Sequence, residues 1–240
     1  MHCCWCGKWP CDVTFRGAPA SDSVRRDARS WGPMKTVKDV MRTAWRRRRM
    51  KAFRLLMHLP SGGSVIDLGG TPEIWDLIDI PLRITLLNIP EEINRWPKAV
   101  QNRFTVVAGD ARAAKMFADG SFDVVFSNSL IEHLPPAHLV EFAHTVRRLA
   151  PAWWVQTPSP YFPIEAHCNL PFWWFYPVAV RERCLRRWER LGHSFLSEQR
   201  STTQVLTRHQ LRSLLPESKI FTEAVLGLPK SYSAFRAYPG

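Results

Sequence analysis

Apolar and polar positions fall into short blocks along the chain, and these blocks predict strands and helices in turn. Five apolar runs of strand length cover Ser64–Leu68, Arg83–Ile89, Phe104–Ala108, Asp123–Ser127 and Trp153–Gln156. Helix-start signals lie between them, with acids after Pro90 and paired prolines at Pro135 and Pro136. Strands that alternate with helices indicate a mainly parallel sheet with both faces covered.

The C-terminal pattern predicts a different pairing. A short helix is expected over Thr207–Leu215, followed by final strands over Lys219–Leu226 and Ser231–Arg236. Only Gly227-Leu228-Pro229 would join these two strands, so they must run antiparallel to each other. The predicted fold class is therefore α/β: a Rossmann-like, doubly wound, mainly parallel seven-stranded sheet with an antiparallel last strand.

The chain ahead of the first strand divides into an arm and a helix. Residues 1–33 are rich in Pro, Gly, Ser and Arg without apolar periodicity, which predicts a disordered basic arm that folding does not need. Met34 would then open the domain, which is expected to span residues 34–240. From Lys35 to His58 the apolar residues are spaced as in a helix, so a leading basic helix is expected within 34–58.

The net charge of +12 is concentrated in this N-terminal part. Residues 1–58 hold 14 Lys and Arg against 4 Asp and Glu, so the rest of the chain is close to neutral. A basic body would favour nucleic acid, which is therefore an unlikely partner. The basic face Arg46, Arg47, Arg49, Lys51 and Arg54 is interpreted as solvated, with peripheral contact to an anionic membrane as the alternative.

Cysteines and targeting signals add little. Cys3, Cys6 and Cys11 with His2 lack the second ligand pair typical of a zinc site, so no metal is expected. No apolar segment follows Met1 as in a signal peptide, and no apolar run reaches the length of a membrane span. A cytoplasmic protein is expected, with peripheral membrane contact possible through Arg46–Arg54.

Polar residues converge at the carboxyl ends of the predicted strands. Ligands of doubly wound sheets bind at this edge. Glycines after the first strand would let a ligand approach the backbone, and polar side chains at the other strand ends could bind ribose hydroxyls and an adenine amino group. The residues at these ends are Asp67, Gly69, Gly70, Thr71, Asn88, Asp110, Asn128, Ser129 and Thr157.

On these residues the sequence resembles the class I S-adenosylmethionine-dependent methyltransferases. Val65–Gly70 resembles that family's first motif, and Gly109-Asp110-Ala111 resembles its adenine-contacting motif. The segment from Phe122 to Leu134, with its Glu132-His133 pair, resembles the fourth-strand motif of the small-molecule members. Asn88 occupies the position where the family has an acid that binds the ribose.

The resemblance implies S-adenosylmethionine as cofactor. The cofactor-binding residues would be Asp67, Gly69, Gly70, Thr71, Asn88, Asp110, Ala111 and Asn128. The chain would transfer methyl to a small-molecule, glycan or lipid-linked acceptor, with oxygen as the expected methyl-accepting atom. The rival interpretation is a non-catalytic relative that acts as a binding module through its basic helix. A dinucleotide oxidoreductase is disfavoured because G-x-G-x-x-G is absent.

Residues 157–200 are expected to form an acceptor-side loop and helical insertion. Closely spaced prolines between Pro158 and Pro171 forbid a regular helix or central strand there. Glu165 and His167 point the same way in an extended stretch, so they are the candidate catalytic residues, with His167 as the base. They could equally hold the loop through backbone hydrogen bonds.

Overall fold

The computed structural model describes residues 37–164, 170–192 and 203–239. The strands are β1 Ser64–Leu68, β2 Arg83–Asn88, β3 Thr105–Ala108, β4 Val124–Asn128, β5 Ala152–Pro158, β6 Lys219–Val225 and β7 Leu228–Arg236. The helices are α1 Val37–Met57, α2 Pro90–Ile93, α3 Lys98–Gln101, α4 Leu139–Leu149, α5 Val178–Arg190 and α6 Arg208–Leu214. Short 3₁₀ turns cover Pro72–Leu77, Ile131–His133, Pro136–His138 and Trp173–Phe175.

All the strands form one sheet in the order β3-β2-β1-β4-β5-β7-β6. The first five pair in parallel, and β7 runs antiparallel to both of its neighbours. The strand order reverses between β1 and β4, which is the position where doubly wound sheets bind ligands beyond the strand ends. The fold class predicted from the sequence is confirmed.

The last hairpin begins earlier than its pattern suggested. Its turn consists of Leu226 and Gly227, both with positive φ (50° and 79°), and β7 starts at Leu228. Positive φ at both central residues matches the twist of the flanking strands in a two-residue hairpin turn. The predicted connection through Pro229 was wrong, because a proline can occupy the beginning of a strand.

This hairpin also carries a β-bulge. The β6–β7 register shifts between Glu223, which pairs with Ser231, and Ala224, which pairs with Pro229. Lys230 is therefore the extra residue on the bulged strand. A bulge redirects a side chain from the regular alternation of the strand, and here it lies at the carboxyl edge of the sheet.

Two apolar layers cover the sheet. On one face, Met50, Phe53 and Met57 of α1 pack with Trp75 and other residues of the first core. On the other face, α4 and α6 cover a second core. Trp153 and Trp154, adjacent on β5, enter opposite layers because side chains alternate along a strand. Within the described residues, no helix combines the length and the apolar character needed to cross a bilayer.

Candidate functional site

The glycine-rich turn after β1 forms one wall of a small pocket at the carboxyl edge of the sheet. Four of the residues predicted to bind cofactor line it: Asp67, Gly69, Gly70 and Thr71. Asn128, predicted from the end of β4, lines the same pocket. Arg46 of α1 and Ile74 complete the lining. The fold thus brings together five of the eight predicted residues, as expected for β1 and β4 at the switch point.

Asp67 is the most perturbed group of this pocket. Its side chain is fully buried, and Oδ2 accepts a hydrogen bond from Nε1 of Trp75 at 2.9 Å. Among the described residues, Oδ1 has no hydrogen-bond partner. Burial raises the pKa of Asp67 to about 8, although the bond from Trp75 opposes the shift. A buried carboxylate oxygen without a partner is rare in native proteins, and it marks a position where a polar ligand can bind.

Gly70 lies directly against this carboxyl group, which occupies the space that a side chain at this position would need. A Cβ built on Gly70 would lie 2.0 Å from the Asp67 carboxyl carbon. Gly69 has φ +70°, and a Cβ there would lie 2.9 Å from Leu130 Cδ1. The turn therefore excludes side chains for two separate reasons, which are close approach and a backbone conformation that L residues rarely adopt.

Asn88 holds the turn from the neighbouring strand. Its Nδ2 donates to the carbonyl oxygen of Gly70 at 2.9 Å, and its Oδ1 accepts from the amide of Ile89 at 2.8 Å. Both polar ends of this amide are therefore already engaged with backbone. Asn88 thus lies beside the pocket and holds the backbone of the glycine-rich turn, a role that the sequence did not predict.

Asp110 and Ala111 follow β3, two strands away from the pocket. Asp110 makes an ion pair with Arg112, with 2.6 Å between Oδ2 and Nη2. Hydrogen bonds from the Arg112 side chain hold the pKa of Asp110 below its usual value, although partial burial opposes this. Ala111 is buried in the second core. Neither residue lines the Asp67 pocket, but both lie along the same edge of the sheet.

Arg49 corrects the prediction of a solvated basic face on α1. It is buried, and its guanidinium donates to Oδ1 of Asn128 at 2.6 Å, to Oε1 of Gln156 at 3.3 Å and to Oε2 of Glu223 at 2.8 Å. Burial would raise the pKa of Glu223, but the Arg49 charge together with the hydrogen bonds from Arg49 and Ser231 outweighs it, so the pKa is lowered. Arg49 thus ties α1 to the ends of β4, β5 and β6.

Arg46 is a pocket residue that the sequence interpretation placed on the wrong surface. Burial lowers its pKa, and the neighbouring charges of Arg42 and Arg49 lower it further. The helical spacing could have found it, because Arg46 lies three residues before Arg49 and four before Met50, so it shares the helix face of the buried Met50 and Phe53. The predicted basic face therefore divides, and Arg47, Lys51 and Arg54 are exposed.

Two further titratable groups lie at this edge. Lys230, on the bulge, places Nζ 4.2 Å from the ring centre of Trp45, and burial lowers its pKa to about 8. Glu132 is fully buried next to Thr157 and Ser129, and burial raises its pKa to about 7. His133, the other half of the predicted pair, lies 3.1 Å from the Thr203 hydroxyl through Nδ1. The pKa values of Lys230 and Glu132 lie close to neutrality, in the range suited to proton transfer.

The candidate catalytic residues Glu165 and His167 lie outside the described residues, as does the whole of the arm 1–33 with its cysteines. The chain on either side of residues 165–169 is described. Ser159 is buried, and its amide donates to the carbonyl oxygen of Lys230 at 2.9 Å. Of the aromatic run at 172–176, Trp173 is buried whereas Phe172 and Phe175 are exposed.

Comparisons with known proteins agree with this architecture. Residues 72–151 match the model of a family described as a methyltransferase domain, and the match begins directly after the glycine-rich turn. No curated protein sequence matches the chain.

Solved structures share the fold at low identity. An S-adenosylmethionine-dependent methyltransferase from Archaeoglobus fulgidus is 14% identical with a TM-score of 0.51, and the match covers 83% of this chain and 99% of that one. A protein from Pyrococcus horikoshii is 17% identical with a TM-score of 0.52, covering 87% and 97%. A possible exported protein from Bordetella parapertussis is 15% identical with a TM-score of 0.52, covering 83% and 68%.

The family match, the strand order with its antiparallel seventh strand and the glycine-rich pocket at the switch point lead to the same assignment. The resemblance drawn from the sequence is confirmed: this chain has the class I, Rossmann-like fold of the S-adenosylmethionine-dependent methyltransferases, with residues 72–151 matching the methyltransferase domain family.

Proposed function

We propose that this protein transfers methyl from S-adenosylmethionine to a small-molecule, glycan or lipid-linked acceptor, with oxygen as the favoured methyl-accepting atom. One observation carries the proposal. The buried Asp67 has a carboxyl oxygen without a hydrogen-bond partner among the described residues, in a pocket that Gly69, Gly70 and Arg46 also line. The family match and the likeness to an S-adenosylmethionine-dependent methyltransferase support the cofactor.

The residues of the pocket fit the amino-acid end of this cofactor. S-adenosylmethionine carries an ammonium and a carboxylate on one carbon. The pocket offers a carboxyl group from Asp67 and a guanidinium cation from Arg46. Hydrogen bonds between charged groups are roughly twice as strong as neutral ones. Asp67 would accept from the ammonium, and Arg46 would donate to the carboxylate. The bound cofactor supplies an electrophilic methyl group on its sulfonium centre.

The neighbouring strand ends fit the nucleoside part. Asn88 would act mainly by holding the Gly70 carbonyl and thus the shape of the turn. Asp110 is half-exposed, and its carboxylate can accept a further bond from an adenine amino group while paired with Arg112. Ala111 and Asn128 would contribute contact to the ring and to the methionine portion, respectively.

Calorimetry tests the cofactor assignment directly. We expect the protein to bind S-adenosylmethionine and S-adenosylhomocysteine and to ignore NAD. Binding of none of the three would favour the rival interpretation, a non-catalytic binding module. Binding of NAD alone would contradict the proposal.

Replacing Arg46 by Gln should lower the affinity for S-adenosylhomocysteine by about 10- to 100-fold, because a hydrogen bond to a charged group contributes about 1.5–3 kcal/mol. 5′-Methylthioadenosine lacks the amino-acid end, so its affinity should stay the same. The matched control is Arg47→Gln, the exposed neighbour on α1, which should change neither affinity. Equal losses for both ligands would mean that Arg46 acts on the fold of the pocket and not on the carboxylate.

The base for a hydroxyl acceptor has two candidates. His167, with Glu165 to orient it or to bind the acceptor, stays a prediction from the sequence. The structure supports Lys230 as a second candidate, since the bulge brings it to the carboxyl edge and burial lowers its pKa to about 8.

Once an acceptor is known, His167→Ala should reduce turnover by about 100-fold or more if His167 is the base, with unchanged affinity for S-adenosylhomocysteine. Lys230→Met serves as the parallel variant under the same conditions. If Lys230→Met alone lowers turnover and removes the step near pH 8 from the rate profile, the role belongs to Lys230 and the assignment of His167 is wrong.

A further inference from the structure

The segment between β5 and α6 presents apolar side chains to solvent. Tyr161, Phe172 and Phe175 are 48%, 55% and 59% exposed. Their rings lie close together, with 6.2 Å between the centroids of Tyr161 and Phe175 and 6.5 Å between those of Phe172 and Phe175. Ile164, between Tyr161 and Phe172 in the chain, and Val178, which follows Phe175, are also more than half exposed. We call these five residues the aromatic tip.

The tip stands on a packed base. Trp173, which lies between Phe172 and Phe175 in the chain, is buried. It stacks on Trp188 of α5 with 5.3 Å between ring centroids. Phe172 adopts a left-handed conformation, with φ +52°. That conformation is unfavourable for a bulky residue, and here it accompanies a side chain that is exposed and not buried. The chain thus holds the rings outward from a fixed support.

A basic ridge runs along the helix that follows the tip. Its members are Arg183, Arg186, Arg187 and Arg190, all exposed. Each of them lies three or four residues from two of the others, so they share one helix face. The opposite face packs through Trp188 and through Arg181, whose guanidinium lies 5.8 Å from the Trp174 ring centroid. The helix as a whole has five arginines and two glutamates, a net charge of +3.

We propose that the aromatic tip and the basic ridge form a face that docks on anionic lipid bilayers. Aromatic and aliphatic side chains next to an arginine-rich helix are the combination that inserts at the headgroup boundary while the cations bind anionic lipid. The inference does not depend on cofactor binding. If the acceptor is lipid-linked, this face would hold the protein at the surface that contains it.

The composition of the face favours lipid over other occupants. A second copy would bring a like-charged ridge against this one, which opposes association. A single-stranded nucleic acid could stack on rings, but it gains little from the exposed aliphatic Ile164 and Val178, whereas a bilayer accepts both kinds of side chain. The α1 surface predicted from the sequence is the weaker candidate, because Arg49 is buried and Arg46 lines the pocket.

Co-sedimentation with vesicles tests the face. The full chain is mixed with vesicles of phosphatidylcholine alone and with vesicles that contain phosphatidylglycerol. Two α5-side variants are compared, Phe172→Ser with Phe175→Ser, and Arg183→Gln with Arg187→Gln and Arg190→Gln. The matched control removes the same charge from α1 through Arg47→Gln, Lys51→Gln and Arg54→Gln. Circular dichroism checks that each variant is folded.

We expect binding to the anionic vesicles only, falling steeply as salt rises. Each basic residue near an anionic surface contributes about fivefold, so the ridge variant should lose on the order of 100-fold in partitioning. The aromatic variant should lose at least about tenfold. The α1 control should bind like the wild type. Absence of binding to anionic vesicles would overturn the proposal, as would a loss in the α1 control equal to that in the ridge variant.

Discussion

Replacing Asp67 by Asn is expected to stabilise the empty protein while weakening its binding of S-adenosylhomocysteine. In the folded state burial raises the pKa of Asp67 from 3.8 to about 8, so at neutral pH the group is mostly protonated. In the unfolded chain the same group ionises near its ordinary pKa. Between these values the folded protein binds more protons than the unfolded chain, so folding stability falls as the pH rises.

The size of this effect follows from the shift. One pKa unit corresponds to 1.36 kcal/mol, so ionisation of Asp67 opposes folding by as much as about 5 kcal/mol at pH 8. Asn has the same shape and can still accept from Nε1 of Trp75, but it does not ionise. The stability advantage of Asp67→Asn should therefore be absent near pH 4, grow by about 1.4 kcal/mol per pH unit and level off above pH 8.

Denaturant unfolding at a series of pH values measures this advantage, and calorimetry measures the affinity. If Asp67 binds the ammonium of the cofactor, Asp67→Asn should lower the affinity for S-adenosylhomocysteine by about 10-fold or more. Asp123→Asn is the matched control. Hydrogen bonds from Ser64 lower the pKa of Asp123, so its stability effect should not grow between pH 5 and 8. A pH-independent difference for Asp67→Asn would show that Asp67 ionises normally.

Replacing Arg49 by Met is expected to destabilise the protein by about 3–5 kcal/mol, because it leaves the buried carboxylate of Glu223 without its cation. Glu223 would keep its bond from the Ser231 hydroxyl, 2.7 Å away, which is too little to replace the guanidinium. Without the Arg49 charge, burial should dominate and raise the pKa of Glu223, so the loss of stability should be larger at pH 8 than at pH 5.

A double-mutant cycle separates the lost pair from the lost packing. Glu223→Gln removes the charge, so the double variant Arg49→Met with Glu223→Gln should recover a large part of the stability that Arg49→Met loses. Arg47→Met, on the exposed face of the same helix, should change the unfolding free energy by no more than about 0.5 kcal/mol. Additive effects of the two single variants would mean that the pair contributes no coupling energy.

Asp67 and Arg49 also link the stability of the fold to the proposed function. Arg49 donates to Asn128, which lines the pocket beside Asp67, so a partly buried hydrogen bond connects α1 to the carboxyl edge of the sheet. The helix whose basic residues suggested a surface role thus contributes both to the core and to the site.

The strands and the position of the pocket could be predicted from the sequence alone. Strands buried on both faces of a parallel sheet need nearly continuous apolar runs, and the short runs at 65–68 and 124–126 have that composition and form β1 and β4. Because the carboxyl ends of such strands meet at one edge, Asp67, Gly69, Gly70, Thr71 and Asn128 could be placed together before any coordinates. The short connection before β7 likewise required its antiparallel direction.

Tertiary contacts decided the roles of the cations. The pattern of α1 offered several apolar positions, and only packing against the sheet selected Met50, Phe53 and Met57 as the buried face. With that face against the sheet, Arg46 lines the pocket and Arg49 is buried against Glu223, which lies 174 residues further along the chain. Local periodicity cannot anticipate such a partner, because a buried charge is stabilised only by groups that the fold brings to it. The bulge at Lys230 has the same origin, since register between strands is set by both of them and not by either one alone.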